Sequence, residues 1–205
     1  MSQLTFEDLT IGYGYTPVLK SVSGSMESGE WIDLWGDNGE GKTTLLKVLS
    51  GLKQPFRGEV KWDGESLSSI RDRYRRTVRY IGHEVSLFCD NTVRENWLLY
   101  VDLFGLEGTS ASDISEDFPL DRTINELSQG ERRRVELTTL FPDDCELFFL
   151  DEPVSSLDET SREVFYNFLE QRTYDGNIVV TASPDPVDKA DENWEVGGLD
   201  VSCPR

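Results

Sequence analysis

Basic residues are scarce in this chain. Lysine and arginine together number 20 against 39 aspartates and glutamates, a formal charge of −19 at pH 7. Non-specific nucleic-acid binding needs a positive surface to neutralise phosphates, so this balance argues against a nucleic-acid partner. Such acidity suits either a high-salt cytoplasm or simply an acidic protein. Cysteine is scarce too. Cys89, Cys145 and Cys203 are too few and too badly spaced for a disulfide framework or a zinc site, which points to a reducing cytosol. No apolar run approaches the ~18–20 residues of a membrane span. Met1 to Thr10 carries acidic residues and no basic stretch, so a secretory signal is not expected. A length of 205 residues suits one α/β domain with a real core.

What the chain does have is a phosphate-binding loop, Gly36-Asp37-Asn38-Gly39-Glu40-Gly41-Lys42-Thr43-Thr44. Trp31 to Trp35 before it is short and aromatic enough for a strand. After it, Leu45, Val48, Leu49 and Leu52 recur at the spacing of a buried helix face. Gly39 and Gly41 permit the tight turn that aims successive N–H groups at phosphate oxygens. The helix N-terminus adds partial positive charge, Lys42 reaches the outer phosphates, and Thr43 presents a hydroxyl to Mg²⁺. The expectation is a protein that binds a nucleoside triphosphate.

Along the rest of the chain, strands are expected over 3–11, near 21–26, over 58–64 and over 80–85, with His83 a structural strand-end residue. Arg71 to Arg79 holds five arginines, read as a solvated basic face or as a docking patch in which Arg73 and Arg76 meet a membrane partner. Thr92 to Glu95 has capping-box spacing, and Val93, Trp97, Val101 and Phe104 behind it share a helical face. Gly105 to Asp121 is polar, acidic and unpatterned. Ser128 and Glu131 again have capping-box spacing before an arginine-rich helix. Cys145 to Leu150 suits a strand buried on both faces, with Asp151-Glu152-Pro153 at its end. A helix over 160–171 presents Val164, Phe165, Phe168 and Leu169, and 177–181 is the last core strand expected. A carboxylate at the end of an apolar strand can sit beside the metal of a bound triphosphate. Asp151 is the candidate for that, and Glu152 for orienting or deprotonating an attacking water.

Gly36 to Thr44, Leu127-Ser128-Gln129-Gly130-Glu131, Leu150-Asp151-Glu152-Pro153 and Ser155-Ser156-Leu157-Asp158 stand in the order and spacing of ABC-transporter ATPases, and the chain resembles that family over nearly its whole length. The resemblance implies an α/β phosphate-loop fold with a mixed central sheet, an antiparallel β subdomain and a short helical subdomain at roughly residues 85–133 of the single domain. It implies ATP and Mg²⁺ as cofactors. Gly36, Asn38, Gly39, Gly41, Lys42, Thr43 and Thr44 would hold the phosphates, with Thr43 and Asp151 at the metal and Glu152 catalytic. Tyr13, with Tyr15 as competitor, would stack on adenine. It also implies a head-to-tail dimer, homo- or heteromeric, in which Ser128 and Gly130 of one subunit touch the nucleotide on the other. Integral membrane subunits would be the further partners, at the cytoplasmic face of the cell membrane.

More narrowly, Gly29-Glu30-Trp31-Ile32, Gly58-Glu59-Val60-Lys61-Trp62, Ile70-Arg71-Asp72-Arg73-Tyr74 and Tyr80-Ile81-Gly82-His83 are similar to the ATP-binding subunits of heme exporters of the cytochrome c maturation system. An ATPase for another exported substrate, or a nucleotide-gated module with little turnover, shares the same motifs. Two departures from the family pattern bear on rate. Glu84 stands where a glutamine is usual, still able to ligate Mg²⁺ and act in catalysis, and Thr181 to Asp185 supplies no histidine. The region 104–126 is short, and so is the run from Arg134 to Asp151. The expectation is a slow ATPase that binds and dimerises well.

Overall fold

Alternating apolar residues build two sheets with one helix between them. The computed structural model describes residues 2–104, 118–140 and 145–198. Strand β1 (Gln3–Tyr13) and strand β2 (Thr16–Glu27) form a long antiparallel hairpin. Strand β3 (Trp31–Trp35) leads into helix α1 (Lys42–Leu49). Strands β4 (Arg57–Trp62) and β5 (Glu65–Ser66) return to the hairpin, giving an antiparallel sheet of order β2-β1-β4-β5.

Helix α2 (Leu67–Thr77) follows, and then strand β6 (Val78–Ile81). Helices α3 (Val93–Phe104) and α4 (Gln129–Thr138) precede strand β7 (Leu147–Asp151). Helix α5 (Glu159–Tyr174), strand β8 (Ile178–Ser183) and strand β9 (Glu192–Glu195) complete the described chain. The second sheet has order β6-β7-β8-β3-β9, and all its neighbours are parallel. The fold is therefore α/β with a separate antiparallel sheet, as expected, but the described strands of the five-stranded central sheet are all parallel rather than mixed. Edge strand β9, which buries Trp194 against β3, lies in a tail that reads as unpatterned because only one of its residues is apolar and buried.

The two-residue period of the strands divides the core. Leu147 and Phe149 face α1, while Phe148 and Leu150 face α5 and α4. Helix α1 is enclosed by both sheets, so Leu45, Leu46, Val48 and Leu49 are all buried. The helix ends there. Ser50 caps it, Gly51 turns at φ 72°, and the buried Tyr74 hydroxyl donates to the Leu49 carbonyl at 2.7 Å. Leu52 is consequently 49% exposed and not part of the apolar stripe. On α5 Phe165 and Leu169 are buried, whereas Val164 is 59% exposed; one face of this helix packs and Val164 lies off it. A third cluster joins Leu87, Val93, Trp97, Ile124, Leu127 and Val135 apart from the two sheet-covering cores.

Residues 71–77 are helical, with Tyr74 as the only residue of α2 that is buried. Arg73 pairs with Glu65 at 2.5 Å, while Arg75 and Arg79 line a cleft of about 420 Å³ with Leu52, Tyr80 and Tyr100. The strand expected over 80–85 begins and ends earlier, at Val78 and Ile81, because its pairing to β7 stops at Leu150. That shift puts Gly82, His83 and Glu84 in a loop. The unpatterned stretch 105–121 lies outside the described residues as far as position 117.

Candidate functional site

The phosphate loop is held open by three glycines in conformations that L side chains rarely adopt: Gly36 at φ 143°, Gly39 at 93° and Gly41 at 106°. Gly41 is also pressed by Val18 and Leu19 of β2, so the hairpin that carries Tyr13 at its tip lies against the loop. A Cβ on Gly39 would meet nothing within 4 Å, which leaves that side of the loop open. Asn38 is exposed at the bend. Below it Glu40 turns back and accepts the Asp37 amide at 2.8 Å. The Lys42 ammonium is buried within the loop, donating to Gly36 O at 2.5 Å and Asp37 O at 2.9 Å.

Parallel pairing sets the end of β7 beside the start of α1. Thr43 Oγ1 donates to Asp151 Oδ2 at 2.8 Å across 108 residues of sequence. Burial raises the Asp151 carboxyl above the ordinary carboxylate value; the Thr43 hydrogen bond opposes this, Glu152 reinforces it, and His83 and Lys47 oppose it further. A cation at this point would reverse the balance. The Thr43 hydroxyl and the Asp151 carboxylate are hard oxygen donors of the kind Mg²⁺ takes when phosphate and water complete its shell. No cluster of three or more His, Cys, Asp or Glu gathers among the described residues, so no all-protein metal cage competes with that arrangement. Thr44 Oγ1 is buried without a hydrogen-bond partner, an unused polar group beneath the loop that fits an anionic ligand.

Glu152 follows Asp151 with a left-handed backbone, φ 46°, a conformation that a non-glycine residue holds only when its surroundings enforce it. Its carboxylate stands 3.3 Å from His83 Nδ1. His83 is therefore an exposed loop residue beside Glu152, not the structural strand-end residue of the sequence reading. Glu84, next to it, is exposed, and among the described residues no hydrogen bond or ion pair joins it to Thr43 or Asp151.

Ser128 caps α4 in a reciprocal pair with Glu131: the Ser128 amide donates to Glu131 Oε2 at 2.8 Å and the Glu131 amide to Ser128 Oγ at 3.3 Å. Gly130 is needed within the chain itself, because a Cβ there would meet Ser156 O at 2.7 Å. Among the described residues no contact joins Ser128 or Gly130 to the phosphate loop. Tyr13 is 56% exposed, with Lys53 Nζ 4.1 Å over its ring, and Tyr15 is fully exposed.

Three features escape sequence reading. Ser183, where the histidine was sought, is buried beside the carboxyl of Asp33, Oγ to Oδ2 2.6 Å. Asp33 itself, a lone acid inside the apolar strand Trp31–Trp35, was the visible signal for that network. Arg133 and Glu136 are buried one helical turn apart, and their charge at i, i+3 inside α4 was the corresponding signal. His83 had no local signal, since its neighbour is 69 residues away and only β6–β7 pairing brings them together.

A glycine-rich loop at a helix N-terminus, a buried lysine and a carboxylate-tipped parallel strand define a phosphate-loop ATPase of the cassette type. A model of the ABC transporter family matches residues 19–155, and the chain belongs to that family as an ATP-binding, ATP-hydrolysing subunit. It is 31% identical over 201 residues to the cytochrome c biogenesis ATP-binding export protein CcmA of Shigella flexneri, and 32% identical over 197 residues to the protein of that name from Escherichia coli K12; each alignment covers 93% of both chains. Among solved structures, an ATP-binding ABC transporter protein from Pyrococcus furiosus matches with a TM-score of 0.83 at 26% identity, covering 95% of this chain and 97% of that one. A dimeric ATP-binding cassette solved in a post-hydrolysis state with ADP and Pi matches in fold, with a TM-score of 0.78 at 22% identity and 95% of each chain covered. No helix among the described residues is long and apolar enough to cross a membrane.

Proposed function

We propose that this chain is the ATPase subunit of a heme exporter serving cytochrome c maturation, peripheral to the cytoplasmic face of the cell membrane. The observation that carries its chemistry is the 2.8 Å contact between Thr43 and Asp151, which brings a phosphate loop and a carboxylate strand to one point. The substrate class is supported by likeness to the CcmA proteins along 93% of the chain.

In this reading the loop amides and Lys42 bind the triphosphate, with Gly36, Asn38, Gly39, Gly41 and Thr44 shaping the cradle. Thr43 and Asp151 are the residues that would hold Mg²⁺, with Glu84 of the loop after β6 as a further candidate ligand, and Mg²⁺ bound there would neutralise charge on the outer phosphates. Glu152 orients the attacking water, and Tyr13 stacks on the base. Ser128 and Gly130 act on the nucleotide held by a second copy, so the working unit is a head-to-tail dimer. Residues 85–133, which contribute most of the third apolar cluster, form the subdomain that meets the membrane subunits, with Arg75 and Arg79 at the adjoining cleft.

The test is deletion of the gene in its own host. Loss of mature c-type cytochromes is expected, restored by the native gene and not by Lys42→Ala. Unchanged cytochrome c with loss of some other export would move the assignment to another substrate. A second reading, a slow nucleotide-gated module, is favoured by one observation: the Ser183 hydroxyl faces the buried Asp33 instead of supplying a donor to the phosphates.

A further inference from the structure

Helix α4 carries a buried ion pair that no part of the nucleotide site accounts for. Arg133 is 2% exposed and Glu136 is 0% exposed, and they meet at 2.7 Å. A guanidinium has five N–H donors, and all of them are engaged here. Nε donates to Pro153 O at 2.9 Å. One Nη1 hydrogen goes to Glu136 Oε2 and the other to Gly82 O at 2.8 Å. Nη2 donates to Asp151 O at 3.0 Å and to Glu152 O at 3.1 Å. Three successive carbonyls around the left-handed Glu152 thus converge on one planar cation. The Glu152 amide donates in addition to Ala182 O at 2.9 Å, so the residue is held at φ 46° from both of its peptide groups.

Glu136 works on the neighbouring loop. Its Oε1 accepts the Ser86 amide at 2.7 Å and the Ser86 hydroxyl at 2.8 Å. Arg133 holds the loop at Gly82 and Glu136 holds it at Ser86, so His83 and Glu84 are suspended between two side chains one helical turn apart. The same helix begins at Ser128 and packs Gly130 on Ser156. Helix α4 is therefore hydrogen-bonded both to the Glu152 turn and to the loop that carries Glu84.

We propose that Arg133 and Glu136 are positioning residues for hydrolysis, linking the helix that begins at Ser128 to the placement of Glu152 and of the His83–Glu84 loop. This rests on the reading of Glu152 as the residue that orients water. A buried pair kept only for stability would be replaceable by apolar side chains of similar volume, often at no cost in stability. A positioning pair would not be, since methionines leave the carbonyls of residues 151–153 without their donor.

The experiment compares native protein with Arg133→Lys, the double variant R133M/E136M and, separately, Glu152→Gln. Mg-ATP affinity is measured by calorimetry, single-turnover hydrolysis with labelled ATP, and melting by circular dichroism. Lysine keeps the charge opposite Glu136 but has three donors on a single atom and cannot reproduce the planar fork. The expected result for Arg133→Lys is hydrolysis at least tenfold slower with ATP affinity within about twofold of native, since binding belongs to the phosphate loop. R133M/E136M, if its melting is native-like, is expected to show the same split. Native hydrolysis in folded Arg133→Lys, or affinity and rate falling together, overturns the proposal. Should Glu152→Gln hydrolyse at the native rate, the reading of Glu152 falls and the link falls with it. Should Glu152→Gln stop hydrolysis while Arg133→Lys leaves it unchanged, only the link is wrong.

Discussion

His83 Nδ1 stands 3.3 Å from a carboxylate oxygen of Glu152. Residues 181–185 supply no histidine, and this chain's one histidine instead reaches the Glu152 carboxylate from the loop after β6. An imidazole in that position limits where the Glu152 carboxylate can point. His83→Ala is expected to slow hydrolysis about tenfold, less than the ~10²-fold that a 1 Å misplacement can cost, because the ring is largely exposed and the restraint is partial. ATP affinity should not change. A phosphate-release assay showing native turnover would return His83 to a passive surface role.

Lys42→Ala is expected to weaken Mg-ATP binding by at least a hundredfold, about 3 kcal/mol, since a charge-assisted contact to the phosphates is lost in a partly dry site. The variant also loses two donations to loop carbonyls, so its melting temperature should be recorded beside the titration. Calorimetry with unchanged affinity would overturn the loop assignment.

Glu152→Gln is expected to bind ATP, fail to hydrolyse it and accumulate as a dimer, seen by light scattering. A charge of −19 per chain opposes association, so the measurement belongs at physiological salt or above, where the screening length is ~8 Å or less. Only monomer at high protein and ATP concentration would argue against the two-subunit site. Gly130 is a poor probe of the interface, because any side chain there strikes Ser156 O within its own chain.

Asp33 sits in a buried hydrogen-bonded network. Thr181 Oγ1 accepts from Trp31 Nε1 at 3.0 Å and donates to Asp33 Oδ1 at 2.6 Å. Ser183 Oγ shares its one hydrogen between Asp33 Oδ2 at 2.6 Å and Asp185 O at 2.7 Å. Burial raises the Asp33 carboxyl above the ordinary carboxylate value, against the hydrogen bonds of Ser183, Thr181 and Val187 and the charge of Lys42. A raised folded-state value means that the folded chain holds more protons between the ordinary carboxylate value and the raised one. The stabilisation is then fully present below the ordinary value and is lost as pH rises through the raised one. Asp33→Asn, whose amide is neutral at every pH, should be at least as stable as native near neutral pH, with the difference in melting temperature shrinking toward about pH 4. A difference independent of pH would show Asp33 to be ionised throughout.

Placing a histidine in the cleft beside Glu152 should raise turnover, roughly tenfold, by supplying a donor to charge developing on the transferring phosphoryl group. From sequence Ser183 is the better position, and the structure reverses that preference. Ser183 and Pro184 both line the cleft of about 590 Å³ that Glu152 also lines, but Ser183 is buried against Asp33 whereas Pro184 is exposed. Pro184→His should therefore exceed both native and Ser183→His in a phosphate-release assay. Equal rates for all three would mean that the cleft does not open on the phosphates.

Local rules carried the sequence reading where a residue's neighbours in the chain decide its state. Strand Trp31–Trp35 is bounded as expected, since four apolar and aromatic residues around Asp33 run straight into a glycine-rich turn. The capping boxes at Thr92–Glu95 and Ser128–Glu131 form because both partners lie within one helical turn. Leu52 and Val164 were misplaced for the opposite reason: periodicity continues on paper after a helix has ended or past the edge of its packed face. The extent of β6 depends on where β7 stops, and nothing in residues 80–85 records that.

The sequence by itself determined the chemistry of the loop: which backbone can turn around an anion, which lysine lies at its end, and which strand ends in two carboxylates. These are properties of contiguous residues and need no partner to be specified. Tertiary structure alone decided that Thr43 meets Asp151, that His83 stands beside Glu152, and that Arg133 gathers the carbonyls of residues 151 to 153. Each of these contacts joins residues distant in the chain, and its length is set by parallel strand register and by the packing of helices over the sheet. Side-chain identity names the groups available for catalysis; register and packing fix the few ångströms that let them act together.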